Sequence, residues 1–374
     1  MRVGMAELRL CDGYVPHYKE MVMIAKPLIK LMIDDIGIKE TIKRFSDPFW
    51  FQSLACALGF EHNYTGATTV TLKAIKEAFK DENDIFILGG KGKNALQVPY
   101  ELSELEKKGM LNSRMRDILE RISKETAKAD NSLLQDSYDL YFHTVITDGK
   151  KNYAIINQGM NDKEMLVRRY HWLNPLSFED KNFRSIINNI SLDLQSKESK
   201  DIKNAIVDIV KDESPEKIVK KALLLSKHYE LYKKGLKPLY ISKEEQEFFK
   251  KISVVPYYLN FPRKMNYEAI KIAHECAREF KDVAMMENIG KSTLRGLAYL
   301  SALVYGKEIS WEKPQRYCYA FGTKAGKPWY VEREAMKKAG KYLMELINAS
   351  EIKREQKKEI FKRLAKITQK HFKF

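Results

Sequence analysis

Between Tyr18 and Phe45 the apolar residues Met21, Ile24, Leu28, Leu31, Met32 and Ile36 recur at three- and four-residue spacing. That period predicts one amphipathic helix over the whole stretch. Ser46-Asp47-Pro48 then offers an N-cap followed by a proline suited to a first helical position, so a second helix is predicted from Pro48. It carries Trp50, Phe51, Leu54, Ala55 and Leu58. Residues 68–79 predict a short helix and residues 101–130 a long one. The apolar run Ile85–Leu88 predicts a strand that ends in a loop, Gly89-Gly90-Lys91-Gly92-Lys93. Residues 138–147 and 153–158 flank Asp148-Gly149, the strongest hairpin signal in the chain. If residues 138–147 form one regular strand, Tyr141, His143 and Val145 share a face by the two-residue period.

Beyond residue 175 the strand signals fade. The polar stretch to residue 235 predicts a helical connector, and residues 236–374 predict helices interrupted by a Gly/Pro-rich loop at 307–329. In the last helix Ile360, Leu364, Ile367 and His371 fall on one face. The expected architecture is therefore α+β, in three consecutive parts. A mixed N-terminal domain with a β-hairpin (1–175) is followed by a helical connector (176–235). An all-helical C-terminal domain (236–374) contains a helix-hairpin-helix and ends in a basic helix.

Composition narrows the function classes. A length of 374 residues exceeds one ordinary core and agrees with two or three domains. Hydrophobic residues at 44% exclude global disorder. Cys11, Cys56, Cys276 and Cys318 are far apart and form no CxxC pair, so neither a thiolate zinc site nor a disulfide scaffold is expected. The first residues show no apolar signal segment. Met21–Ile38, the most apolar early stretch, holds Lys26, Pro27, Lys30, Asp34 and Asp35, too many charges for a bilayer. A cytoplasmic protein with no membrane partner is expected.

The net charge of +16 points to a polyanionic partner, DNA foremost and RNA as the alternative. A lysine-rich surface from thermophily or genome bias is the competing explanation. The excess is uneven. Residues 351–374 hold nine basic residues against three acidic, whereas residues 191–216 hold four against seven.

One segment links that charge to a mechanism. In residues 283–298 a helix is predicted to end near Met286, a turn containing Gly290 follows, and a new helix begins at Lys291 or Ser292. A small turn residue lets a phosphate approach, and the amides that open the second helix point at it. Lys291, Ser292, Thr293 and Arg295 add side-chain donors. Asn288 stands where a first turn glycine is usual, and asparagine tolerates positive φ. An ordinary helix–helix turn is the alternative. Further candidates lie in the first domain. Gly89–Lys93 could cradle phosphate with Lys91 and Lys93, although its spacing is not that of a P-loop. Arg168 and Arg169 could contact backbone, and Tyr141 and Trp172 could stack on bases. Asp136 and His143 are candidates for acid–base work, with a buried structural histidine as the alternative for His143. No metal site is assigned. A nuclease would need divalent metal held by carboxylates drawn from Glu61, Asp130, Asp136 and Asp139. His62, beside Glu61, is a weaker candidate of the same kind as His143.

Several of these segments together resemble a prokaryotic family known as domain of unknown function number 763. They are Ser46–Gln52, Gly66–Thr69, Gly89–Lys93, Gln135–Tyr141, Gln158–Met160, Arg168–Trp172 and the hairpin region ending Val304-Tyr305-Gly306. The resemblance runs nearly end to end and implies no activity. Near the C-terminus the chain departs from the family. Phe321-Gly322-Thr323-Lys324-Ala325-Gly326 stands for a His-Gly-Gly-Lys-Asp-Gly-type loop, and Tyr330-Val331-Glu332-Arg333 for Pro-Val-Asp-Arg. The hairpin is also distantly similar to that of DNA glycosylases, in which an aspartate after the hairpin acts in base excision. That similarity implies Glu332 as a catalytic candidate. Expected functions are a DNA repair or processing factor that binds nucleic acid, a glycosylase, a metal-dependent nuclease, or a non-enzymatic RNA-binding or scaffold protein. No cofactor is expected unless it is a nuclease.

Overall fold

A computed structural model describes residues 2–7, 15, 17–59, 65–163, 165–178, 191–196, 199–236, 242–243, 246, 262, 264–307, 309, 311–312 and 333–371. The strands are β1 (Arg2–Glu7), β2 (Phe86–Lys91), β3 (Leu134–Gln135), β4 (Asp139–Thr147), β5 (Tyr153–Asn161), β6 (Leu166–Leu173), β7 (Ser191–Asp193) and β8 (Trp311–Glu312). The helices are α1 (Tyr18–Phe45), α2 (Pro48–Leu58), α3 (Thr65–Ala78), α4 (Val98–Lys107), α5 (Ser113–Lys128), α6 (Lys200–Asp212) and α7 (Pro215–Lys233). They continue with α8 (Tyr267–Cys276), α9 (Phe280–Met285), α10 (Lys291–Tyr305), α11 (Arg333–Ala349) and α12 (Arg354–His371).

The chain folds as a mixed α/β protein with antiparallel sheets, and it forms two compact units. The first comprises Met1–Ala127, Tyr138–Ile186 and Gln315–Phe374, and the second Lys128–Ser137 and Ile187–Pro314. This grouping differs from the three consecutive parts expected from the sequence. The last two helices join the first unit, where Leu343, Ile347, Ile360 and Leu364 are buried in one core with Leu28, Phe51 and Ile156. Within residues 176–235, read as a helical connector, α6 and α7 are helices as expected, and both pack on α10 inside the second unit.

In the first unit the strand order is β1-β6-β5-β4-β2. The β4–β5 turn forms where Asp148-Gly149 predicts it. The Asp148 carboxylate accepts from the amides of Lys150, Lys151 and Asn152 at 2.8, 3.1 and 3.0 Å. Helix α1 has the predicted bounds, but Gly37, at φ 78°, breaks its regularity. The predicted 101–130 helix is divided into α4 and α5 around Gly109, which has φ 71°.

Asp47 caps α2 as its sequence position demands, accepting from Phe49 N at 2.9 Å and Trp50 N at 3.1 Å. Asp47→Ala leaves those amides without their carboxylate and is expected to lower stability by about 1 kcal/mol. Equilibrium urea unfolding measures it, and an unchanged midpoint would show that the cap contributes nothing. In the second unit β7 lies between β3 and β8. Asn266 caps α8, and Glu279 with Asp282 forms a reciprocal capping box at α9.

Candidate nucleic-acid interface

Helix α9 ends at Met285 and α10 begins at Lys291, so five residues make the turn between them. Ile289 N–H donates back to Met286 O at 3.3 Å. Asn288 holds φ 65°, a conformation that asparagine tolerates better than most residues. Ile289 is fully buried and anchors the turn, while Glu287, Asn288 and Gly290 are exposed. Gly290 occupies the N-cap of α10 in extended backbone and gives the helix no side-chain cap. Among the described residues a Cβ at Gly290 would meet nothing within 4 Å, so none of them crowds the backbone there. Leu294 N–H reaches back to Gly290 O at 3.1 Å. The amides of Ser292 and Thr293 precede it and lie outside the helix's own ladder.

Two cations stand one helical turn apart at this end. Lys291 is exposed and Arg295 half-buried. Desolvation holds the Lys291 amine below its ordinary range, and the neighbouring Arg295 guanidinium adds to the effect, against the attraction of Asp136. Desolvation likewise lowers Arg295, opposed by Tyr299. Arg295 Nε is buried and has no hydrogen-bond partner among the described residues. A guanidinium in this position favours an anion, because burial has removed part of its hydration without a counter-charge among the described residues.

The hydroxyls beside these cations are otherwise employed. Ser292 Oγ donates to Lys264 O at 3.2 Å, and Thr293, buried, accepts from Asn266 N at 3.4 Å. The expected side-chain donors Ser292 and Thr293 therefore fasten α10 to the segment before α8. Asp136 belongs to the second unit and is buried, with its charge felt by Lys291.

The candidates in the first unit fare differently. Gly89, Gly90 and Lys91 do not form a loop. They extend β2, pairing with Thr144, His143 and Phe142. The Gly89 amide donates to a Glu101 carboxylate oxygen at 2.6 Å, and its carbonyl accepts from Lys76 Nζ at 2.9 Å. A carboxylate thus occupies the amide expected to meet phosphate. Lys91 and Lys93 are exposed.

Arg168 and Arg169 are buried, not surface cations. As neighbours on β6 they point to opposite faces of the sheet. Arg168 lies over the Tyr138 ring at 4.1 Å, and Arg169 over Phe51 at 4.7 Å. Arg169 also donates to Thr68 Oγ1 at 3.2 Å and Pro48 O at 3.3 Å. Trp172, 1% exposed, cannot stack on a base. Tyr141 is half-buried at a bulge in β4, and its hydroxyl accepts from Gln158 Nε2.

His143 is a buried structural histidine. Its Nδ1 lies 2.6 Å from Asn157 Oδ1, and its Nε2 lies 2.6 Å from Ser123 Oγ. The neutral tautomer that satisfies both has Nδ1–H donating to Asn157 and Nε2 accepting from Ser123. Burial depresses its pKa to about 4, against the opposing bond to Asn157. Glu332, Glu61 and His62 lie outside the described residues, as do residues 313–332 around the departures from the family pattern. Among the described residues no group of three or more His, Cys, Asp or Glu side chains is placed to hold a metal ion. Among them too, no helix is long and apolar enough to cross a membrane.

A family model described as Protein of unknown function (DUF763) matches residues 4–331. The chain belongs to this family. No curated protein and no solved structure matches it. The match spans the α9–α10 turn, so that turn lies within the family region of this DUF763 protein, whereas α11 and α12 follow it.

Two further residues hold the turn: Gln135, marked in the sequence only as part of the family segment Gln135–Tyr141, and Lys128, which nothing in the sequence marks. Lys128 Nζ donates to Ile289 O at 2.5 Å and lies 3.4 Å from Met286 O, and Gln135 Nε2 donates to Lys291 O at 2.8 Å. All of these residues belong to the second unit. Lys128 lies 161 positions from Ile289, and Gln135 lies 156 from Lys291, separations at which no local pattern marks a pair as neighbours.

Proposed function

We propose that this DUF763 protein binds nucleic acid, DNA in the first instance. A helix-hairpin-helix formed by α9, the turn and α10 would hold the sugar-phosphate backbone within a repair or processing task. One observation carries the proposal: the half-buried Arg295 guanidinium, whose Nε meets no acceptor among the described residues. Lys291 one turn before it, the backbone at Gly290 uncrowded by any described residue and the positive φ of Asn288 support the same ligand. So does the net charge of +16. Such a site positions a backbone and reads no bases. Specificity for a structure or lesion must come from elsewhere in the chain.

The test replaces Lys291 and Arg295 together by alanine. Binding to duplex and single-stranded oligonucleotides should weaken by about tenfold or more, to a similar degree across sequences. The slope of log K against log salt on duplex DNA should flatten by about 0.9 for each phosphate that the variant no longer neutralises. Lys291→Glu, at an exposed position, serves where the double variant is unstable. Titration of labelled DNA and RNA at several salt concentrations measures both quantities. Unchanged affinity and slope would remove the hairpin from the interface, and tighter binding to RNA would reassign the partner.

A further inference from the structure

The turn between α9 and α10 has two edges. On one side the amides of Ser292 and Thr293 open α10 beside Gly290, where an added Cβ would meet nothing within 4 Å among the described residues. The turn's carbonyls must find donors on the other side, because a buried carbonyl without one is costly. Two side chains from a distant segment supply them. The Lys128 ammonium reaches Ile289 O at 2.5 Å and Met286 O at 3.4 Å. Gln135 Nε2 spans from Ser132 O at 3.1 Å to Lys291 O at 2.8 Å. Carbonyl dipoles that point together repel one another, and an ammonium with three donors neutralises that repulsion. No carboxylate pairs with Lys128 among the described residues, so the turn carbonyls are the acceptors that hold it. Burial pushes the Lys128 amine below its ordinary range, as expected of a cation held by dipoles and not by an opposite charge.

We propose that Lys128 and Gln135 are positioning residues for the nucleic-acid site: they clamp the carbonyl edge of the turn so that its amide edge stays preformed for phosphate. The proposal rests on the nucleic-acid reading above, because it assigns that site its internal support. Lys128 is also a fixed positive charge behind the turn and has no need to touch the ligand. A preformed site loses less ordering entropy on binding than one that must fold around its ligand.

The experiment uses the full chain with Lys128→Ala, which removes the ammonium and leaves room for a small amine, and Lys128→Met, which keeps the stem. Both should bind duplex DNA about tenfold more weakly, the factor that corresponds to one charge-assisted hydrogen bond. Both should keep the wild-type salt slope, because the same phosphates are neutralised as in the wild type. Methylammonium should restore binding to the alanine variant, whereas tetramethylammonium at equal ionic strength, with no N–H, should not. Lys128→Met, with an unchanged melting temperature, carries the test if the alanine variant fails to fold.

Wild-type affinity in both variants, or a loss that methylammonium does not relieve, overturns the proposal. If the wild-type chain itself binds no oligonucleotide, the nucleic-acid reading fails separately. The clamp is then judged by hydrogen exchange of residues 286–294, which should quicken in Lys128→Ala and slow again with methylammonium. Unchanged exchange would overturn it.

Discussion

Gly89→Ala is expected to destabilise the first unit by about 4 kcal/mol. Gly89 sits in β2 at φ 85°, a left-handed conformation that an alanine adopts at a cost of about 1–2 kcal/mol. The added Cβ would stand 2.3 Å from His143 O and 2.9 Å from Val98 Cγ2. The first is a backbone atom on the paired strand and cannot swing away, so over-packing adds about 1–3 kcal/mol. Movement of the strand would also disturb Glu101 and Lys76, which hold the Gly89 amide and carbonyl. Urea unfolding of the variant against the wild type reads the difference. A loss under about 1 kcal/mol would mean that the close approach of β2 to β4 is not what requires glycine here.

The second large effect is acid destabilisation through His143. Its folded pKa of about 4 lies below the ordinary value of 6.5, so the unfolded chain binds the proton more readily. Stability from the neutral ring is therefore complete above pH 6.5 and is lost as pH falls from there through about 4. A gap of this size corresponds to about 3 kcal/mol, and the direction follows from proton uptake on unfolding. Carboxylates titrate at the lower end of that window, so the comparison must be made with His143→Gln, which keeps a polar side chain near Ser123 and Asn157. The variant should be less stable at neutral pH, and the gap to wild type should narrow toward about pH 4. A gap that stays constant with pH would show that the imidazole is not held neutral by burial.

Arg168, Arg169 and Trp172 show why surface and core were hard to separate in the sequence. A half-solvated strand announces itself by alternating apolar and polar residues. Strands β5 and β6 are covered on both faces, and side chains on both faces are buried, Asn157, Gln158, Arg168 and Arg169 among them. Polar residues that look like ligand contacts are there hydrogen-bonded or stacked inside the protein. The same holds for Gly89–Lys93, whose composition suggests a phosphate loop but whose backbone continues a strand.

Features that depend on neighbours along the chain were legible in the order of residues. That order set the bounds of α1, the Asp47 cap and Pro48 start of α2, and the turn at Asp148-Gly149. It also placed a turn before Lys291 with Asn288 able to hold positive φ. Each depends on hydrogen bonds and steric limits within a few residues, so the signal is local. Which charges are exposed, that α11 and α12 complete the core of the first unit, and that Lys128 and Gln135 support a turn far away along the chain follow from the packing alone. Those facts depend on which surfaces meet, and burial then reverses the meaning of a residue: in water an arginine attracts phosphate, whereas inside a covered sheet it is a packed, hydrogen-bonded strut.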